Sequence, residues 1–149
     1  TDHGDTVNVR LARAMLALRR NAYGRLRELA VPYRGHSYVF LACPSTYAEA
    51  VDMARAAGGH LVTVTDRPER DFTLSLTPVG LGAWLGLDRS GETDRWVTGE
   101  SFEYEDFEAP WMRRSRDPAF QLNLTGSEEK WFTAERTELP VNILIEWDD

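Results

Sequence analysis

The chain has 149 residues, 42% hydrophobic and 28% charged, which suits one domain with a sizeable core and is too short for two. A net charge of −7 argues against general nucleic-acid binding, which leans on a basic surface, and no apolar run nears the roughly 20 residues that span a bilayer. Cys43 is the only cysteine, so an intrachain disulfide is excluded and the compartment stays open.

Thr1 to Thr6 is polar with no apolar stretch after it, which does not read as a signal peptide; a start without Met reads as a piece of a longer chain. From about Asn8 to Ala30 the pattern predicts a helix, with Leu11, Met15, Leu18, Ala22 and Leu29 on one apolar stripe among six arginines. That stripe suits packing on the domain's own body or a short oligomerising stalk, with Gly24 as a bend. Pro32 ends it. His36 to Leu41 predicts a strand broken by Cys43-Pro44-Ser45. Thr46 and Glu49 have capping-box spacing and open a helix with Tyr47, Ala50, Ala54 and Ala57 on one face, stopped by Gly58-Gly59. Leu61 to Val64 is a short strand. Asp66 and Glu69 repeat the box spacing, and Pro68 suits the first turn of a second helix to about Leu76.

Beyond Gly82, strands are expected over Ala83–Leu87, Arg95–Val97, Phe120–Leu124, Lys130–Phe132 and Asn142–Trp147, with an irregular connection from Phe107 to Pro118. Helices first and strands later give an α+β class. The segment Trp84-Leu85-Gly86-Leu87, followed by Trp96-Val97-Thr98-Gly99, predicts buried aromatics beside a close backbone approach.

That segment resembles the W-I-G-L and W-x-D-G signature of C-type lectin-like domains. Gly35 to Phe40 looks like the family's opening strand, Thr46-Tyr47-Ala48-Glu49-Ala50 like its T-W-x-E-A, and Gly58 to Val64 like G-G-H-L-A-T-I. Lys130-Trp131 and Ile143 to Glu146 resemble K-W-N-D and F-I-C-E. The resemblance covers residues 33–149. It implies two helices, a twisted antiparallel sheet and a long loop region over 32–149, with residues 1–31 as an extra N-terminal helix. It also puts the family's disulfide positions at Ala54 and Ile145, and near Ala119 and Arg136, none of them cysteine here. The chain resembles a cysteine-poor, bacterial-type variant.

Family members that bind sugars typically do so through calcium, a cation that needs about 6–8 oxygen ligands. The family draws them from an E-P-N or Q-P-D triplet and from W-N-D. At the W-N-D positions this chain has Trp131-Phe132-Thr133, and neither register of Glu108-Ala109-Pro110-Trp111-Met112-Arg113 supplies two ligands. The resemblance therefore implies a calcium-independent domain with no metal or other cofactor. Glu103, Glu105, Asp106 and Glu108 are close in sequence, but alternate strand positions face opposite sides, so they read as a solvated acidic edge.

Trp111, Met112, Arg113, Arg114 and Arg116 combine residues enriched at binding hot spots, suited to a protein surface or an acidic glycan. Alternatively, Trp111 plugs the core and the arginines neutralise nearby acids. His36 and Cys43 make a thiol–imidazole pair conceivable, but no orienting third group is evident; His60 reads as structural. Asn123-Leu124-Thr125 is a glycosylation sequon. The expectation is a non-enzymatic module that takes a protein or glycan ligand, with no nucleic acid or membrane insertion. A carbohydrate-binding lectin with an altered, metal-assisted sugar site is the alternative.

Overall fold

A computed structural model describes residues 9, 12–17, 19–20, 22–78, 81–89, 93–104, 119–125, 128–134 and 140–148. Over 119–125 and 128–134 it describes the backbone and, of the side chains, Trp131.

Helical residues at 9, 12–17 (α1) and 19 are followed by a turn at Arg20 and a non-helical Ala22, after which α2 runs Tyr23–Glu28. The expected single helix is therefore interrupted before Gly24, not at it; Ala22 N–H reaches back to the Ala17 carbonyl at 2.9 Å. Its buried positions are Ala14, Ala17 and Leu26, while Met15, Ala22 and Leu29 only flank the core. Small alanines let α1 approach the body closely, a preference that a stripe drawn through the larger residues overlooks. Leu11 and Leu18 lie outside the described residues.

Strand β1 (Val31–Tyr33) has no counterpart among the expected elements; it pairs with β2 (His36–Ser45) across a turn where Arg34 has φ 52° and Gly35 φ 83°. The β2 strand continues through Cys43-Pro44 with a register shift between Leu41 and Ser45, so the proline makes a bulge in place of the expected break. Helix α3 (Tyr47–Ala56) starts on a complete capping box: Glu49 N–H donates to Thr46 Oγ1 at 3.1 Å, and Thr46 N–H to Glu49 Oε1 at 2.9 Å. Its expected face, Ala50, Ala54 and Ala57 with Tyr47 at the rim, enters the core.

Next come β3 (His60–Leu61), α4 (Arg67–Leu76), β4 (Gly82–Trp84), β5 (Leu87–Asp88), β6 (Arg95–Trp96), β7 (Ala119–Thr125), β8 (Glu128–Ala134) and β9 (Val141–Asp148). The main sheet runs β1-β2-β9-β4-β7-β8, with β3 also on β9; β5 and β6 form a separate ribbon. The pairing of β4 with β9 is parallel, and the remaining pairings are antiparallel.

Alternation along β2 and β9 divides the core in two. Val39, Leu41, Ile143, Ile145 and Trp147 face α1, α2 and α3. Tyr38, Phe40 and Leu144 face the opposite way, toward Val62, Leu74, Leu85, Trp96, Phe102 and Trp131. Trp96 meets Phe102 and Trp131 edge-on, with centroids 5.2 and 5.8 Å away. Ala54 and Ile145 are both buried in the first cluster, so an apolar pair occupies the place the family gives a disulfide.

Candidate functional site

The polar constellation sits where β2, β3 and β9 meet. Register places His36 opposite Asp148, Tyr38 opposite Glu146, and His60 opposite Glu146 on the other side of β9. His36 Nδ1 lies 2.7 Å from Asp148 Oδ1 and 2.9 Å from Glu146 Oε2. His60 Nε2 lies 3.0 Å from Asp148 Oδ2, while its Nδ1 faces the Leu61 carbonyl at 2.7 Å. Both ring nitrogens of His60 thus face oxygen atoms.

Glu146 is buried, and its Oε1 accepts from Thr63 N–H at 2.9 Å and Thr63 Oγ1 at 3.1 Å. Burial pushes its pKa up to about 9, against the Thr63 N–H bond; the negative charge of Glu69 and Asp148 pushes the same way as burial. Burial alone would also raise Asp148, but His60 and His36 outweigh it and hold that carboxyl below its ordinary value. Glu69 departs from its expected capping role. Asp66 Oδ1 does accept from Glu69 N–H at 2.9 Å, yet the Glu69 side chain turns inward, accepting from Thr65 N–H at 2.8 Å and Tyr38 O–H at 2.5 Å. Burial first and this bond second raise the Tyr38 phenol well above its usual range. Beside these groups lies a polar pocket of about 100 Å³ lined by Tyr33, Arg34, His36, Tyr38, Asp66 and Glu69.

A larger cleft of about 760 Å³ opens on the other side of His60, between Tyr47, Arg55, Leu87, Arg89 and Val97. It is more apolar, and Tyr47 O–H bridges it to the Leu87 carbonyl at 3.2 Å.

The five predicted binding residues, Trp111, Met112, Arg113, Arg114 and Arg116, lie outside the described residues, as do Glu105, Asp106 and Glu108; Glu103 is exposed. Cys43 Sγ is 3.7 Å from Ser45 Oγ and packs against the core, and His36 is engaged with carboxylates, so no thiol–imidazole pair forms. Sequence reasoning misses Glu146 and Asp148 as site residues. Their i, i+2 spacing on a strand signals one shared face, but that His36 stands opposite them is set by register, which the spacing does not contain.

At the W-N-D positions Trp131 is 2% exposed and packed among Phe102 and Tyr104, a core residue. Phe132 beside it has no side-chain oxygen to offer a cation, and Thr133 has a neutral hydroxyl where the family has a carboxylate.

No family model matches the chain. The C-type lectin domain of murine dendritic cell inhibitory receptor 2, solved with an N-glycan, superposes with a TM-score of 0.73 over 80% of this chain and 96% of that one, at 18% identity. The fold is the C-type lectin-like fold. A calcium-dependent type II antifreeze protein in its calcium-free form matches with a TM-score of 0.69 over 78% and 95%, at 19% identity. By sequence, this C-type lectin-like chain is 27% identical over 111 residues to a snaclec coagulation factor IX-binding protein of Gloydius halys, covering 67% of this chain and 88% of that one. It is 30% identical over 99 residues to mouse asialoglycoprotein receptor 1, 66% of this chain but 34% of the receptor. With rat C-type lectin domain family 4 member F it shares 29% over 87 residues, 57% of this chain and 16% of that protein. The chain thus spans a minor part of both of these longer proteins. These relatives are animal proteins and lend no support to a bacterial source.

Proposed function

We propose that this C-type lectin-like domain is a non-enzymatic binding module that takes a protein or carbohydrate ligand through its long loop, without the family's usual calcium site. What carries the reading is the fold combined with a changed donor set: the backbone superposes on an N-glycan-bound lectin domain and the sequence matches a factor IX-binding snaclec, while Phe132 and Thr133 stand where the family's calcium ligands fall. The snaclec supports protein as ligand, and the N-glycan complex of the murine receptor supports carbohydrate. Trp111 with Arg113, Arg114 and Arg116 supplies an aromatic anchor and guanidiniums suited to carboxylates or rings.

The test is ligand capture, by glycan array and by pull-down, with the wild type and Trp111→Ala. Loss of capture with the melting temperature nearly kept supports the loop as the binding surface. A large fall in melting temperature with capture retained would assign Trp111 to the core.

Self-association through the N-terminal segment is the weaker reading. Ala14, Ala17 and Leu26 are turned to the chain's own core, which leaves the exposed Val9 and Leu16 for a second copy.

A further inference from the structure

His36 Nδ1 has two carboxylate oxygens within reach, at 2.7 and 2.9 Å, and can point only one hydrogen. That hydrogen bond is made with Asp148 Oδ1. Glu146 Oε2, on a side chain 1% exposed, is left without a hydrogen-bond partner among the described residues although it is aimed at the same imidazole. Ionised, a carboxylate oxygen so buried and unpartnered is costly, and in the cation-free protein burial keeps a proton on the group that a bound cation would displace.

We propose that His36, Glu146 and Asp148 form a binding site for one zinc-class divalent cation, with His60 positioning Asp148. A cation at their centre satisfies all three atoms at once, which one proton does not. The donor set, one imidazole nitrogen and two carboxylate oxygens, is suited to zinc and its neighbours, while a site of this kind leaves a fourth position to water. The three ligand atoms lie within 4.8 Å of one another. Bonds of about 2.1 Å in tetrahedral array put ligand atoms roughly 3.4 Å apart, so His36 Nδ1 has to draw away from the two carboxylate oxygens, now at 2.7 and 2.9 Å, by about 0.5–0.7 Å. His36 and Asp148 can move that far, since His36 begins β2, Asp148 ends β9, and their side chains are 36% and 45% exposed.

The supporting shell is already built. Thr63 N–H and Oγ1 hold Glu146 Oε1, which turns Oε2 toward the site. His60 Nε2 holds Asp148 Oδ2, which turns Oδ1 the same way. The paired register of β2 and β9 fixes the spacing of the three, and the small pocket lined by His36, Tyr38 and Glu69 gives water a way in.

The experiment is isothermal titration of zinc chloride into the full chain in a non-chelating buffer at pH 7, with cobalt(II) absorption as a second readout. One ion per chain is expected. Binding falls by at least about ten-fold in His36→Ala and Asp148→Asn, less in His60→Ala, and stays unchanged in Cys43→Ser; circular dichroism establishes that each variant is folded. Cobalt gives visible ligand-field bands in the wild type that vanish in Asp148→Asn, an exposed and isosteric change. Absence of stoichiometric zinc, equal uptake by wild type and both ligand variants, or loss in Cys43→Ser alone would overturn the proposal.

Discussion

At the scale of single residues, the fold hinges on places where backbones touch. A Cβ on Gly86 would run into the Leu61 carbonyl and come within 3.0 Å of Val97 Cγ2, at a point where Gly86 N–H donates to the Val62 carbonyl at 2.7 Å. Changing Gly86→Ala should therefore cost about 2 kcal/mol or more in urea unfolding. Gly24, inside α2 with nothing within 4 Å, is the contrasting case: Gly24→Ala should be neutral or stabilise by about 0.5–1 kcal/mol. Equal effects from the two would refute the packing argument. Glu146 sets a pH dependence. In cation-free protein it keeps its proton up to about pH 9 when folded, against an ordinary value of 4.5 when unfolded. Between those limits the folded state binds more protons, so stability should fall with rising pH, by on the order of a few kcal/mol in total. Asp148, held low by the two histidines, contributes stability that is lost as pH falls through its folded value, so the melting temperature should peak in mildly acidic buffer. Glu146→Gln should flatten the alkaline side; an unchanged slope in that variant would remove Glu146 as the cause.

At the scale of elements, what the sequence makes legible is whatever local chemistry alone decides. Thr46 with Glu49 reads as a helix start because both partners of the box lie within one turn, and α3 begins there. Asp66 with Glu69 has the same spacing, yet only half the box forms, because Tyr38 and Thr65 compete for the Glu69 carboxylate from elements that spacing does not reveal. The bulge at Pro44 and the short β1 likewise owe their form to the neighbouring strand. The N-terminal segment is a similar case, with the alanines Ala14 and Ala17 and, in α2, Leu26 seated on the body while Leu16 stays outside. With those alanines committed internally, light scattering should give the mass of one chain, 16.9 kDa, for both the wild type and Leu16→Lys. A multiple of that mass collapsing in Leu16→Lys would show instead a seam between copies.

At the scale of the whole molecule, the C-type lectin-like fold is held here by apolar packing where relatives of the family use cross-links. Trp84, Trp96, Trp131 and Trp147 are all buried, with Trp84 and Trp147 N–H bonded to the carbonyls of Ser45 and Ala57 at 2.9 Å each. This is readable in the tryptophan and glycine spacing, because those residues serve the core. The polar cluster is not, because it is assembled from β2, β3 and β9, parts of the chain that only the finished sheet brings together. The proposed binding mode rests on oxygen donors lacking beside Trp131. Calorimetric titration of calcium into the intact chain tests it most directly: no stoichiometric uptake is expected, and tight binding of calcium that is lost on changing Thr133 or the residues flanking Pro110 would contradict it.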